Sequence, residues 1–232
     1  MPKKTASIVS TGRRSRPVSA DRGEAGYHHG DLQEALIAAT ERILADVGAE
    51  GFTLREAARR AGVSPAAPSH HFGNAPGLLT EVAIRGYGDL GEALKQARLQ
   101  RGSVRQRLHA QGLAYLDFAL TYPGRFQMMF SNKRLVEDDE RLRKAARNAH
   151  REFEMVLEEL MADDPHATPR LVKAASTAAW STVHGFAKLA LEEKFGAADT
   201  DAGRKDIVAM LRQVLEYQWP TRGPSQNSSQ KP

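Results

Sequence analysis

The chain has 232 residues, 41% of them apolar and 26% charged, with 33 basic against 28 acidic side chains, a net charge of +5 and no cysteine. That length holds one large or two modest domains, and the absence of cysteine excludes disulfides, thiolate metal sites and a cysteine nucleophile. No window approaches the roughly 18 to 20 apolar residues of a membrane span, and the first residues lack the apolar segment of a secretory signal, so the expected location is the cytoplasm, with no membrane partner.

Strand signals are almost absent and helical periodicity runs throughout, which predicts an all-α fold. Residues 1–26 read as a basic, disordered arm. Lys3, Lys4, Arg13, Arg14, Arg16 and Arg22 stand there against Asp21 and Glu24, in a segment too polar to bury itself. Such an arm is either merely solvated or laid along nucleic acid. The first helix is predicted to begin after Gly30, with Asp31 as N-cap and Glu34 as its capping-box partner. It carries Leu36, Ile43, Leu44 and Val47 on one face and stops at Gly48. A second helix starts at Thr53, again with a partner at Glu56, and turns at Ala61-Gly62-Val63, where glycine supplies the freedom a sharp turn needs. Ser64 is the predicted N-cap of a short third helix with Pro65 at its first position. Counted so, Pro68 removes about one hydrogen bond, on the order of 1 kcal/mol. The alternative is a regular helix that begins at Pro68.

A longer helix is predicted from about Pro76, with Leu78, Leu79, Val82, Ala83, Leu90 and Leu94 as its apolar members. Gly86, Gly88 and Gly91 predict bending or close packing within it. A helix from Ser103 to Tyr122 follows, then a break at Pro123-Gly124 and a short apolar turn, "RFQMMF". A charged helix spans about Asp138 to Met161. "DDPHATP" is a loop, Thr168-Pro169 opens another helix, and a last one runs from about Ala202 to Trp219. Residues 221–232 read as a disordered polar tail. This makes about nine helices: three small ones over 27–90, containing a helix-turn-helix at 53–72, and a larger helical part over 91–220.

Two short helices joined by a glycine turn, with a longer helix to cover their apolar sides, suit entry into the major groove of DNA. Their N-termini present unpaired N–H groups to phosphate oxygens, with Thr53 and Ser64 at those ends. The stretch "LQEALIAATERILADVGAEGFTLREAARRAGVSPAAPSHHF" resembles the N-terminal DNA-binding domain of TetR-type bacterial regulators. It shows a first helix, Thr53 opening the second, "AGVS" at the turn and "HF" closing the third. "YHHGDL" and "AAWSTVHGF", with Trp180, His184 and Gly185, resemble one branch, whose C-terminal domain is named for a Trp-His-Gly motif.

The resemblance implies that Pro65, Ala66, Ala67, Ser69, His70 and His71 touch bases and phosphates. It places Arg55 where a relative can carry a base-contacting arginine, and arginine suits a bidentate contact with guanine. Two positions depart from the family pattern: Ser69 stands where a tyrosine is common and Ala75 where a lysine is. Both usually hold phosphate, so sequence-independent affinity is expected to be weaker, with the basic arm as compensation. The resemblance further implies a homodimer on palindromic double-stranded DNA, acting as a repressor released by a small-molecule effector.

Tyr115, Phe118, Phe126, Met128, Met129, Phe130, Phe153, Trp180, His184 and Phe186 form an aromatic and methionine-rich set. Taken singly they are core residues; as a set they are candidates to line an apolar cavity between helices. The candidate pocket is Tyr115, Phe118, Phe126, Met129, Phe153, Trp180 and His184, the last two one helical turn apart and expected to supply its polar contacts. For the dimer, Leu171, Ala175, Ala178, Leu211 and Leu215 on the last two helices are spaced for a four-helix bundle between chains. No enzyme is expected: there is no phosphate-cradling glycine loop, zinc signature or Ser-His-acid motif, hence no catalytic residue and no cofactor. No metal is expected either, because adjacent His70 and His71 diverge by about 100° on a helix. The alternative reading is a helical ligand- or partner-binding protein with a weakened DNA-binding domain, which Ser69 and Ala75 keep open.

Overall fold

In a computed structural model that describes residues 27–130 and 132–221, the regular structure is entirely helical. The helices are α1 (Tyr27–Val47), α2 (Leu54–Ala61), α3 (Ala67–Phe72), α4 (Ala75–Arg98), α5 (Val104–Thr121), α6 (Pro123–Met129), α7 (Glu140–Leu160), α8 (Pro169–Leu191) and α9 (Asp201–Gln218), with a 3-10 turn over Asn132–Arg134. Among the described residues no strand forms beyond an isolated bridge between Lys194 and Gly196. None of the described helices is long and apolar enough to cross a membrane. The basic arm lies outside the described residues, as does the tail from residue 222 on.

Most helix starts follow from a local hydrogen bond. Thr53 accepts from Glu56 N at 3.2 Å, Asn74 from Gly77 N at 2.9 Å, and Thr168 from Leu171 N at 3.2 Å. Ser103 and Gln106 cap each other reciprocally ahead of α5. Each cap satisfies a donor that the first turn leaves without an intrahelical partner, worth about 1 kcal/mol.

Three starts differ from the sequence expectation. α1 begins at Tyr27, ahead of Asp31, and so carries Gly30 inside it, which costs about 1 kcal/mol relative to alanine. The predicted break at Pro123-Gly124 is instead the first turn of α6, because proline at a helix start lacks only an N–H that would have had no partner there. α3 begins at Ala67, after a turn closed by Ala67 N bonding Ser64 O at 3.1 Å, and Ser64 makes no side-chain cap. The first helical bond runs from His70 N to Ala66 O. Pro68 therefore precedes every N–H the helix uses, and the hydrogen bond expected to be lost there never existed.

One continuous apolar core runs from Leu36 of α1 to Leu215 of α9. α4 lies at its centre and packs on α1, α5, α6 and α7. Its glycines resolve into close packing: α4 is unbroken, and a Cβ at Gly86 would sit 2.5 Å from Met129 Sδ of α6, one at Gly91 3.4 Å from Ala149 Cα of α7. Gly112 lets α9 press onto α5 in the same way, with a Cβ there only 2.9 Å from Leu215 Cδ1. That contact corrects the expected dimer face. Leu211 and Leu215 are 0% and 1% exposed and belong to the chain's own core, whereas Leu171 is 42% exposed. Ala178 is exposed too, and Ala175 is half-buried.

Candidate functional site

The first candidate site is the tip formed by α2 and α3. α2 packs on α1 through buried Ala57 and Ala58. It ends at Gly62, whose φ of 70° is left-handed backbone that favours glycine, with Gly62 N bonding Arg59 O and Val63 N bonding Ala58 O. Arg59 and Arg60 both bond the Glu56 carboxylate, and Arg60 reaches on to Asp46 of α1. The hydrogen bonds from Arg59, then Arg60, hold the Glu56 carboxyl down at about 2. Two of the three arginines of α2 are thus tied into the fold. Arg55 is exposed and makes no ion pair among the described residues.

Thr53, Ser64, Pro65, Ala66, Ser69 and His70 are exposed as well, while Ala67 and His71 are half-buried and Pro68 is buried. The structure therefore gathers the expected DNA-contact residues on one short unit with most of their surfaces open. The His70 and His71 rings meet edge to face at 5.2 Å, and no group of three potential metal ligands forms among the described residues. Ala75 opens α4 behind the Asn74 cap.

The second candidate site is a cavity of about 840 Å³ between α4, α5, α6, α7 and α8, within the usual range for small-molecule sites. Of the residues expected to line it, Tyr115, Met129, Phe153 and Trp180 do so. Phe118, Phe126 and His184 stand outside the lining. Phe118 packs on Tyr122 at 5.4 Å, and Phe126 lies behind Tyr115 at 5.7 Å. His184 sits between Phe130 and Phe126, at 4.5 and 5.5 Å.

Trp180 and His184 are not free polar contacts either. Trp180 Nε1 donates to Tyr115 Oη at 3.3 Å, and that oxygen lies 2.8 Å from His184 Nδ1. Burial, and then the nearby Lys188 charge, lowers the His184 pKa from its ordinary 6.5, so the ring is neutral at pH 7. Burial likewise raises the Tyr115 hydroxyl and pushes Tyr87 up to about 12.

Sequence reasoning missed the wall supplied by α4 (Tyr87, Leu90, Leu94) and the rim supplied by α7 and α8 (Arg147, Arg151, Lys173). The signals available were Gly86 and Gly91, which mark where α4 meets its neighbours closely, and the Ala146-Ala149-Phe153 stripe on the otherwise charged α7.

α6 runs from the cavity wall to α1, the helix on which α2 packs. At its start, a Cβ on Gly124 would lie 2.2 Å from Leu44 O, so the helix rests directly on the backbone of α1. Next to it, buried Arg125 bonds Glu41 of α1, and Asp89 of α4 at 2.6 Å, with its guanidinium 4.5 Å over the Tyr122 ring. At its other end Met129 enters the cavity wall, and Met129 O accepts from Tyr87 Oη at 3.0 Å. Arg134, just beyond, bonds Ala49 O after α1.

Comparison with known proteins places this arrangement. Residues 36–82 match the family model "Bacterial regulatory proteins, tetR family", and residues 108–220 match "Tetracyclin repressor-like, C-terminal domain". The HTH-type transcriptional regulator BetI 1 of Chromohalobacter salexigens is 42% identical over 65 residues, 28% of this chain and 32% of that protein. The chain thus spans about a third of that curated relative's length. Among solved structures, a protein of unknown function from Rhodococcus sp. RHA1 superposes with a TM-score of 0.67 at 28% identity, over 84% of this chain and 99% of its own. The TetR family transcriptional regulator PfmR from Thermus thermophilus shares the fold, with a TM-score of 0.61 at 16% identity over 79% of this chain and 96% of its own. Matched by models of one family at both ends, on a fold shared with solved members, the chain belongs to the TetR family of bacterial transcriptional regulators.

Proposed function

We propose that the protein is a ligand-responsive repressor that binds a palindromic operator as a homodimer and leaves it when a small molecule fills the cavity. The observation that carries this is α6, which touches the cavity wall at Met129 and the helix supporting the reading unit at Gly124 and Arg125. A ligand that displaces Met129 moves α6, and with it the Arg125 clamp on Glu41 and Asp89. α4 offers a second route, because it lines the cavity with Tyr87 and begins shortly beyond α3. Coupling of this kind is reciprocal: a ligand that weakens operator binding binds operator-bound protein more weakly by the same factor.

Direct readout in this proposal rests on Arg55, Ser69 and His70, with apolar contact from Ala66 and Ala67 to thymine methyls. Thr53, Ser64, Pro65 and His71 complete the contact surface. For the dimer, the exposed face of α8 and α9 replaces the expected one: Leu171, Ala178 and Leu189 on α8, Met210 and Tyr217 on α9. Two chains joined there hold their α3 helices in fixed separation, as paired half-sites require.

Selection of bound fragments from random DNA, followed by gel shift on the chain's own upstream DNA, tests the reading. A palindrome enriched in the selection and shifted in the gel is the expected result. Deleting residues 1–24 should lower affinity and flatten its salt dependence, the slope falling by about 0.9 for each phosphate that the arm neutralises. The second reading, a ligand- or partner-binding protein with a weakened DNA unit, is favoured by Ser69 standing exposed at a position where tyrosine is common. It prevails if no sequence is enriched even at low salt.

A further inference from the structure

The lining of the cavity divides sharply by depth. Its inner wall is made of Leu90, Leu94, Tyr115, Met129 and Phe153, all buried. The polar side-chain atoms beside that wall are already committed: Tyr87 Oη to Met129 O, and Trp180 Nε1 to Tyr115 Oη, itself paired with His184. An inserted polar group would find no partner there and would lose its hydration uncompensated.

The rim has the opposite character. Arg147 and Arg151 of α7 and Lys173 of α8 line it against a single acid, Glu154. Glu154 is itself occupied, at 3.3 Å from Arg151 and 3.5 Å from His150. The other carboxylates that meet these arginines, Glu140 and Glu158, lie outside the lining in exposed pairs that water screens. Glu158 holds Arg151 by both oxygens, at 2.5 and 2.9 Å, so an incoming anion exchanges for it there. Lys173 makes no ion pair among the described residues.

We propose that the effector is an amphipathic organic anion, whose apolar body fills the inner wall while a carboxylate or phosphate headgroup meets Arg147, Arg151 and Lys173 at the rim. Arginine binds either headgroup through its fork and lysine as a point charge. The assignment rests on the cavity being the effector site, and names the class of molecule that site selects.

The test uses the full chain with Trp219→Phe, which leaves Trp180 in the cavity wall as the only tryptophan. Its fluorescence is followed while decanoate, decyl phosphate, decanol and decylammonium are titrated, each below its micelle-forming concentration. The expected result is that decanoate or decyl phosphate binds roughly tenfold or more tightly than decanol, the effect of one charge-assisted contact. The tighter of the two anions identifies the headgroup. Arg147→Gln, Arg151→Gln and Lys173→Gln together should bring that advantage down to about twofold, while decanol binding, which reports an intact cavity, stays unchanged. Decanol binding as tightly as the anions, decylammonium binding more tightly, or an advantage that survives the three substitutions overturns the anion class and leaves the cavity reading standing. If none of the probes alters Trp180 fluorescence, the cavity reading falls as well.

Discussion

In the tip, α2 has eight residues and α3 six, their ends are set by Thr53, Gly62 and Gly73, and most of the candidate contact side chains are exposed. In the cavity, α4, α5, α7 and α8 run 18 to 24 residues, and the inner-wall side chains are largely buried against partners remote in sequence. The same helical units are thus used in two ways. The tip holds its shape by local hydrogen bonds and offers its side chains to an outside molecule. The cavity draws its shape from packing, so the residues that line it also carry stability. Substitutions in the tip should therefore change binding with little effect on folding, whereas substitutions under the cavity should lower stability.

Leu211→Asp presses hardest on that contrast. It places an unpaired charge in the core beneath α5, and urea unfolding should show a loss of about 3–5 kcal/mol. Met210→Asp with Tyr217→Asp, on exposed positions of the same helix at 40% and 89% exposure, should leave the unfolding midpoint nearly unchanged and give monomers by light scattering. A fully stable Leu211→Asp dimer would remove α9 from the core. Gly124→Ala comes next. Its Cβ would meet Leu44 backbone at 2.2 Å, and the strain should lower stability by about 1–3 kcal/mol. Operator affinity measured on the folded fraction should fall too, since α1 must give way; unchanged affinity would mean α6 does not bear on the reading unit.

Arg55→Ala tests the other side of the contrast. It should relax base preference in a binding selection by about 1–3 kcal/mol at one position, more than any change at Ala66 or Ala67, with stability within about 0.5 kcal/mol of the parent. An unchanged base preference would assign readout to α3 alone. The smallest effect concerns pH. His184 has a folded pKa below its ordinary 6.5, so the unfolded chain takes up the proton first. The stability that depends on the neutral ring is complete above about pH 6.5 and declines as pH falls from there through the folded value. Melting temperature should drop between pH 7.5 and 5.5, and His184→Asn should flatten that dependence.

Much of the tip is legible in the residues themselves. Thr53, Glu56 and Gly62 act within a few residues of themselves, so their roles are written in short stretches of chain; the Asn74 cap of α4 is equally local but is not among the sequence expectations. Of the two starts the sequence leaves open for α3, the Ser64 cap fails and the one at Pro68 lies within one residue of the observed Ala67, because a turn follows Ser64 and Pro68 is buried. In the cavity, Tyr115, Met129, Phe153 and Trp180 are expected from their residue types, but Phe118, Phe126 and His184 are not separable from them. All seven are apolar or amphipathic on helices, and periodicity identifies a buried face without naming what covers it.

Residue order alone established a helical chain without strand signals, the Thr53 cap of α2 and the turn at Gly62. Packing in three dimensions assigned Leu211 and Leu215 to the chain's own core by way of Gly112, brought Tyr87 and Arg147 to one cavity, and made α6 the bridge between cavity and α1. Caps and turns are set by hydrogen bonds a few residues long, whereas the inward face of each long helix depends on neighbours tens of residues away. The small side chains at Gly86, Gly112 and Gly124 decide those approaches only once the helices are in contact.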